Sequence, residues 1–321
     1  MSKILSWYKQ QTVEGTIYPI SREGHSLTFI ENLGILMFGG FGASLLSEFY
    51  IYDIQSNQWR VFKTSGRQIS PRCYHTKFYH EPYLFIYAGQ GEKGRSLGDT
   101  YAMDIRNKDF KWKKVLVEPP YPRHEHTLCG FRKSHQWYKK QNRYLFGGIN
   151  TPENILFNDF WILDFSNMQE IYGQDDLEGA KFKKIETAGR PPSARKGHSA
   201  LCYGESMYVF GGQTQDINDE EITKYVHMLD LNYYQWTRCD VSRTKISPRC
   251  QISTSWLSSN MVLVSRTLKN SSRQKMKRAD FIEKKLNFKK NNIAKRRNFF
   301  SFFLFFLVFR RSRQQDQQRL E

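Results

Sequence analysis

The sequence predicts an all-β chain of small four-stranded sheets packed radially, a β-propeller with about four complete blades and one partial, composite blade. Three observations predict it. Four landmarks recur in the same order four times along the chain. The apolar runs within them are rich in aromatic and β-branched residues and too short for helices. Turn residues separate the runs. One such sheet cannot bury both of its faces, whereas neighbouring sheets around an axis bury each other's.

The first landmark is Arg-x-x-His-Ser/Thr, carried by Arg22/His25, Arg72/His75, Arg123/His126 and Arg195/His198. An apolar run ending in glycine follows, closing on Gly39-Gly40, Ala88-Gly89, Gly147-Gly148 and Gly211-Gly212. Glycine suits a strand end where the backbone needs positive φ or close packing. The third landmark is an alternating run ending in Asp53, Asp104, Asp164 or Asp230. The fourth is a lone large aromatic, Trp59, Trp112, Phe182 or Trp236, expected on an outer strand and filling the gap between blades. All these repeat positions read as structural. A residue needed once per blade reads as a buried hydrogen-bonding partner within its blade, so the four histidines are not read as metal ligands.

At these residues the chain resembles the kelch family, whose landmarks occur in this order at a spacing of about fifty residues. The resemblance covers residues 1–264 and implies a kelch-type β-propeller, a fold that usually acts as a binding platform. A fifth unit begins at Pro248-Arg249, but Ile252 stands where His is expected and Ser265-Arg266 replaces the glycine pair. Trp7 sits 52 residues before Trp59 and reads as the outer strand of a blade. The strands near residues 249–264 are expected to close the ring with it, in a composite blade lacking a third strand. Kelch propellers usually close with more blades, so the ring reads as incomplete.

The formal charge is +18, from 49 Lys+Arg and 31 Asp+Glu. Residues 266–321 hold 17 Lys+Arg against 4 Asp+Glu, leaving 32 against 27 for the rest. The basic character therefore belongs to a tail and does not mark the chain as a specific nucleic-acid binder. Residues 265–298 read as a basic tail, disordered or helical. Residues 299–321 hold a Phe-rich run and a polar end, and the Lys/Asn/Phe/Ile bias of the tail over residues 266–309 fits translated non-coding or frame-shifted sequence, not native chain. As a helix the Phe run reaches roughly 16 Å, against a hydrocarbon layer of about 30 Å. Surface contact with an anionic membrane is therefore a reading of the tail, and spanning is not. An import signal is the other. Five cysteines without a Cys-x-x-Cys, and an N-terminus without a long apolar core, point to a reducing, cytoplasmic setting, or a nuclear one through the basic tail, and not to secretion.

Gly89-Gln90-Gly91-Glu92-Lys93-Gly94-Arg95-Ser96 matches G-x-G-x-x-G and nearly matches the phosphate-binding loop. Both motifs need a helix to open directly afterwards, and here another strand is expected, so the segment reads as a hairpin loop. No catalytic residue, cofactor or metal is assigned. The copper oxidases with kelch-like propellers require two Tyr, two His and a Cys cross-linked to Tyr, and no such constellation can be picked out. The chain therefore reads as a non-enzyme, the alternatives being a sugar-modifying enzyme of the kelch-like oxidase or isomerase type, or a membrane-surface scaffold.

Function is expected in the loops after the glycine pairs, at 41–47, 90–98, 149–158 and 213–224, on one face. Their candidate partner-binding residues are Leu45, Leu46, Lys93, Arg95, Asn154, Asp216, Asp219, Glu220 and Glu221. A polar rim with a few apolar tips suits a protein or peptide partner. Blade 3 carries two insertions, one basic and aromatic at residues 132–140 and one between Asp164 and Phe182. The resemblance implies scaffolding or presentation of substrates to a ubiquitin ligase; as a ligase adaptor the chain would need a separate subunit.

Overall fold

A computed structural model of the chain describes residues 17–31, 33–130, 142–174, 176–203, 205–215 and 225–240, with three further strands beyond them. Two compact units divide the chain, residues 1–250 and 251–321. The first holds four blades of four antiparallel strands each. Blade 1 is Ser26–Ile30, Gly34–Phe38, Phe49–Asp53 and Gln58–Val61. Blade 2 is Thr76–His80, Tyr83–Gln90, Ser96–Asp104 and Lys111–Val115. Blade 3 is Thr127–Cys129, Arg143–Phe146, Phe160–Asp164 and Lys181–Lys184. Blade 4 is Ser199–Tyr203, Ser206–Phe210, Tyr225–Asp230 and Gln235–Asp240.

In every blade the strands lie in sequence order. The first strands of successive blades approach one another, which makes them the inner edge, and the fourth strands the outer edge. Alternation of side chains then turns both faces of blades 2 and 3 toward a neighbour. Ile51, Leu36 and Met103 are buried between blades 1 and 2, Leu145 and Ala102 between blades 2 and 3, and Val209 and Met207 between blades 3 and 4. The fold is the all-β propeller architecture that the repeats predict, and no α-helix occurs among the described residues.

The outer aromatics fill the gaps between blades. Trp112 is 1% exposed and stacks on Phe49 of blade 1 at 5.3 Å between ring centroids. Phe182 meets Tyr87 of blade 2, and Trp236 meets Phe146 of blade 3, both also at 5.3 Å. Trp59 is half-buried and lies against Tyr52 of its own blade.

The insertion after Asp164 is not a free loop. Its strands Gln169–Glu170 and Asp176–Glu178 form a hairpin, and the second pairs in parallel with the outer strand of blade 2. Leu177 is thereby 1% exposed, in the core between blades 2 and 3. Arg67 adds a bidentate pair to Asp176 at 3.0 and 2.9 Å. Blade 2 thus becomes part of a seven-stranded sheet.

In the second unit Ile252–Ser258 pairs with Met261–Arg266, and that strand pairs with Phe303–Val308, all antiparallel. The third strand, which the repeat pattern does not supply, comes from the Phe-rich run. Trp7, and with it the expected closure, lies outside the described residues, as do the basic insertion at 132–140 and most of the basic tail.

Candidate functional site

The repeated arginines, histidines and glycines form one joint per pair of blades. Each arginine reaches the carbonyl of the first residue of the glycine pair in its own blade: Arg22 to Gly39 at 3.0 Å, Arg72 to Ala88 at 3.1 Å, Arg123 to Gly147 at 3.1 Å and Arg195 to Gly211 at 2.9 Å. A carboxylate before or early in the third strand meets the arginine in blades 1, 2 and 3. Arg72 holds Asp99 at 2.6 and 2.9 Å, Arg123 holds Asp159 at 2.6 and 2.8 Å, and Arg22 meets Glu48 at 3.4 Å. Tyr225 occupies the matching place in blade 4.

The histidines act across blades, which corrects the expectation of a partner within the blade. His75 Nε2 lies 2.9 Å from the Ser26 hydroxyl of blade 1. His126 Nε2 lies 2.7 Å from Thr76, and His198 Nε2 lies 2.9 Å from Thr127. Each ring thus meets the hydroxyl that follows the histidine of the preceding blade. Burial first, and the neighbouring arginine second, hold His75 and His126 well below the ordinary imidazole range and His198 at about 3. All three are neutral near pH 7.

The second glycine donates its N–H to the arginine carbonyl of the next blade: Gly40 to Arg72 at 2.9 Å, Gly89 to Arg123 at 3.1 Å and Gly148 to Arg195 at 2.8 Å. Gly148 has φ +99°, and a Cβ there would fall 2.7 Å from His126 Cβ and 2.8 Å from the His124 carbonyl. Only glycine lets the strands approach this closely.

These joints position one face. The residue after each arginine forms a two-way backbone bridge with the residue after the glycine pair: Glu23 with Phe41, Cys73 with Gln90, His124 with Ile149 and Lys196 with Gln213. A chain of backbone bonds then links successive blades. Tyr74 N–H donates to Gly24 O at 2.8 Å, Glu125 to Tyr74 O at 3.2 Å, and Gly197 to Glu125 O at 2.9 Å. The residues between Arg and His therefore stand side by side with the loops expected to bind. The one sequence signal for them is that the residue after each arginine differs in every blade, in Glu23-Gly24, Cys73-Tyr74, His124-Glu125 and Lys196-Gly197.

Their side chains interlock. Tyr74 donates its hydroxyl to Glu23 at 3.0 Å, and burial followed by that carboxylate raises the phenol pKa. His124 Nε2 contacts the Thr151 hydroxyl, and Lys196 lies 3.7 Å from Glu125. Burial, then Lys196, lowers His124 to about 4. Between blades, the Thr151 N–H donates to Ser96 at 3.1 Å.

Of the candidate partner-binding residues, Lys93 and Arg95 are exposed on the blade 2 loop. That loop is a tight hairpin in which a short 3₁₀ turn at Glu92–Gly94 runs straight into the third strand, so no helix N-terminus faces the glycines. Asn154 is exposed at the turn of the Ile149–Asn150/Ile155–Leu156 hairpin, with φ +53°. Leu45 is half-buried. Leu46 is a correction: it is 7% exposed, since its backbone bonds to Gly40 and Arg72 turn its side chain inward. Asp216, Asp219, Glu220 and Glu221 lie outside the described residues.

The family model described as the KLHDC2/KLHL20/DRC7 Kelch-repeats domain matches residues 2–169 and 131–285. Human host cell factor 2 is 27% identical over 270 residues, covering 77% of this chain and 30% of that protein. An F-box/kelch-repeat protein of Arabidopsis thaliana is 29% identical over 214 residues, covering 62% of this chain and 41% of that protein. Human kelch domain-containing protein 3 is 24% identical over 250 residues, covering 74% and 60%. The chain thus spans a minority of the length of the first two.

Proposed function

The chain belongs to the kelch-repeat family, and from that premise we propose that it is a protein-interaction module that holds a protein or peptide partner on the face built by the Arg-x-x-His pairs and the loops after the glycine pairs. One observation carries this reading. The backbone of that face is the same in each described blade and bonded from blade to blade, while the residue after each arginine is a different one in each: Glu23, Cys73, His124 and Lys196. A face of fixed backbone loses little conformational entropy on binding, and varied side chains give it a specific chemistry. The partner is held without turnover. A scaffold or ubiquitin-ligase adaptor role is the finer form of this reading.

Charge reversal at the exposed blade 2 loop tests the reading. The partner captured by the wild-type chain should be lost on K93E/R95E and kept on K183E, which lies on the outer strand of blade 3. Equal capture by both variants would remove this face from recognition. Turnover of a carbohydrate from a panel would point to the sugar-modifying alternative instead.

A further inference from the structure

We propose that Cys129 and Cys202 are a redox modification site, two thiols that close reversibly into a disulfide between the inner strands of blades 3 and 4. Their Sγ atoms lie 3.3 Å apart, and both cysteines are free. They sit on Thr127–Cys129 and Ser199–Tyr203, strands that run beside each other at the inner edge. A disulfide places its sulfurs about 2.05 Å apart, so closure requires a shift of about 1.2 Å, small enough for side-chain rotation and slight strand movement to supply.

A third group makes the pair more than a chance approach. The buried guanidinium of Arg143 acts electrostatically on both cysteines. It donates to the carbonyls of Asn142 and Tyr79 and lies over the rings of Phe78 and Phe165 at 5.2 and 5.6 Å. None of these contacts neutralises its charge, and that charge favours the Cys202 thiolate. Burial opposes this at Cys202, whose thiol is pushed up. Cys129 is the more exposed of the two and is the first to react, with Cys202 resolving.

The oxidant is a peroxide. The Cys129 thiolate attacks one peroxide oxygen, the O–O bond breaks, and hydroxide leaves, giving a sulfenic acid. The Cys202 thiolate then attacks the Cys129 sulfur and displaces hydroxide. With the two thiol protons, both hydroxides end as water: two thiols and one hydrogen peroxide give one disulfide and two waters.

The pair lies away from the proposed binding face. Thr127 and Ser199 pair with Phe146 and Phe210, next to the glycine pairs, whereas Cys129 and Cys202 pair with Tyr144 and Met207, toward the far end of the strands. The disulfide therefore fixes blade 3 against blade 4 without touching that face, and it stands whether or not that face binds a partner.

The test uses the full chain, reduced, freed of reductant and exposed to hydrogen peroxide near stoichiometry. Mass spectrometry of the thiol-blocked, non-reduced digest should give a Cys129–Cys202 peptide pair that dithiothreitol abolishes. In C202S, dimedone should label Cys129 and the cross-link should vanish. The oxidised wild type should melt at a higher temperature, since the bond closes a loop of 73 residues. Sulfinic or sulfonic acid at Cys129 of the wild type without the cross-link would overturn the proposal. So would both thiols remaining alkylatable after treatment.

Discussion

The Nε2 atom of His126 stands 2.7 Å from the hydroxyl of Thr76, the residue that follows the histidine of the preceding blade. The same pairing joins His75 to Ser26 and His198 to Thr127. Each blade therefore presents a hydroxyl to the next and an imidazole to the one before. Both groups are small and the rings are buried, so the bond sets the approach of the sheets as well as its energy.

Removing the hydroxyl alone leaves the buried ring without its partner. T76V should cost about 1–3 kcal/mol, the penalty for a buried polar group left unsatisfied. Chemical denaturation of the variant against wild type measures this. Unchanged stability would reduce the bond to a geometric coincidence.

Asp159 accepts two bonds from the fully buried Arg123 and a third from Trp161 Nε1 at 2.6 Å. D159A leaves the guanidinium buried with only carbonyl partners and should cost about 3–5 kcal/mol. The loss should fall on folding and be visible in the denaturation midpoint.

Acid should loosen the joints before it titrates most carboxylates. His75, His126 and His198 are neutral when folded, whereas the unfolded chain takes up their protons near pH 6.5. Their contribution is complete above that value and is lost as the pH falls toward the folded values. Between about pH 6.5 and 5 stability should therefore drop, by up to about 1.4 kcal/mol per pH unit for each proton taken up on unfolding. H126Q should flatten that slope. A slope unchanged in H126Q would contradict the burial of a neutral ring.

Leu177 tests whether the blade 3 insertion is part of the core. L177A should cost about 2–5 kcal/mol, as truncation of a fully buried side chain does. A solvated hairpin would lose less than about 0.5 kcal/mol.

Much of this arrangement is legible in the sequence because the same contact is made once per blade. The landmarks at Gly147-Gly148, Trp112 and Trp236 announce strand ends and outer strands through local chemistry, and each lies where the repeat places it. Contacts that cross between blades are less legible. Nothing near His198 in sequence shows that its partner is Thr127, 71 residues away. The pairing of Leu177 with Val115 is equally remote, so nothing local marks the insertion as a strand of the blade 2 sheet. Leu46 shows a third limit: its apolar character suits a loop tip and a core equally, and only backbone bonds to neighbouring segments decide for the core. The candidate face is legible in reverse. Its residues are the two in each Arg-x-x-His that the repeat leaves free, and their backbone role appears only once the blades stand side by side.

The most direct measurement places a photo-activated cross-linking residue at position 93, on the proposed face, and separately at position 183, on the outer strand of blade 3. Illumination of the expressed chain should join position 93 to a discrete partner protein and leave position 183 unlinked. A partner joined at 183 and not at 93 would contradict recognition through this face.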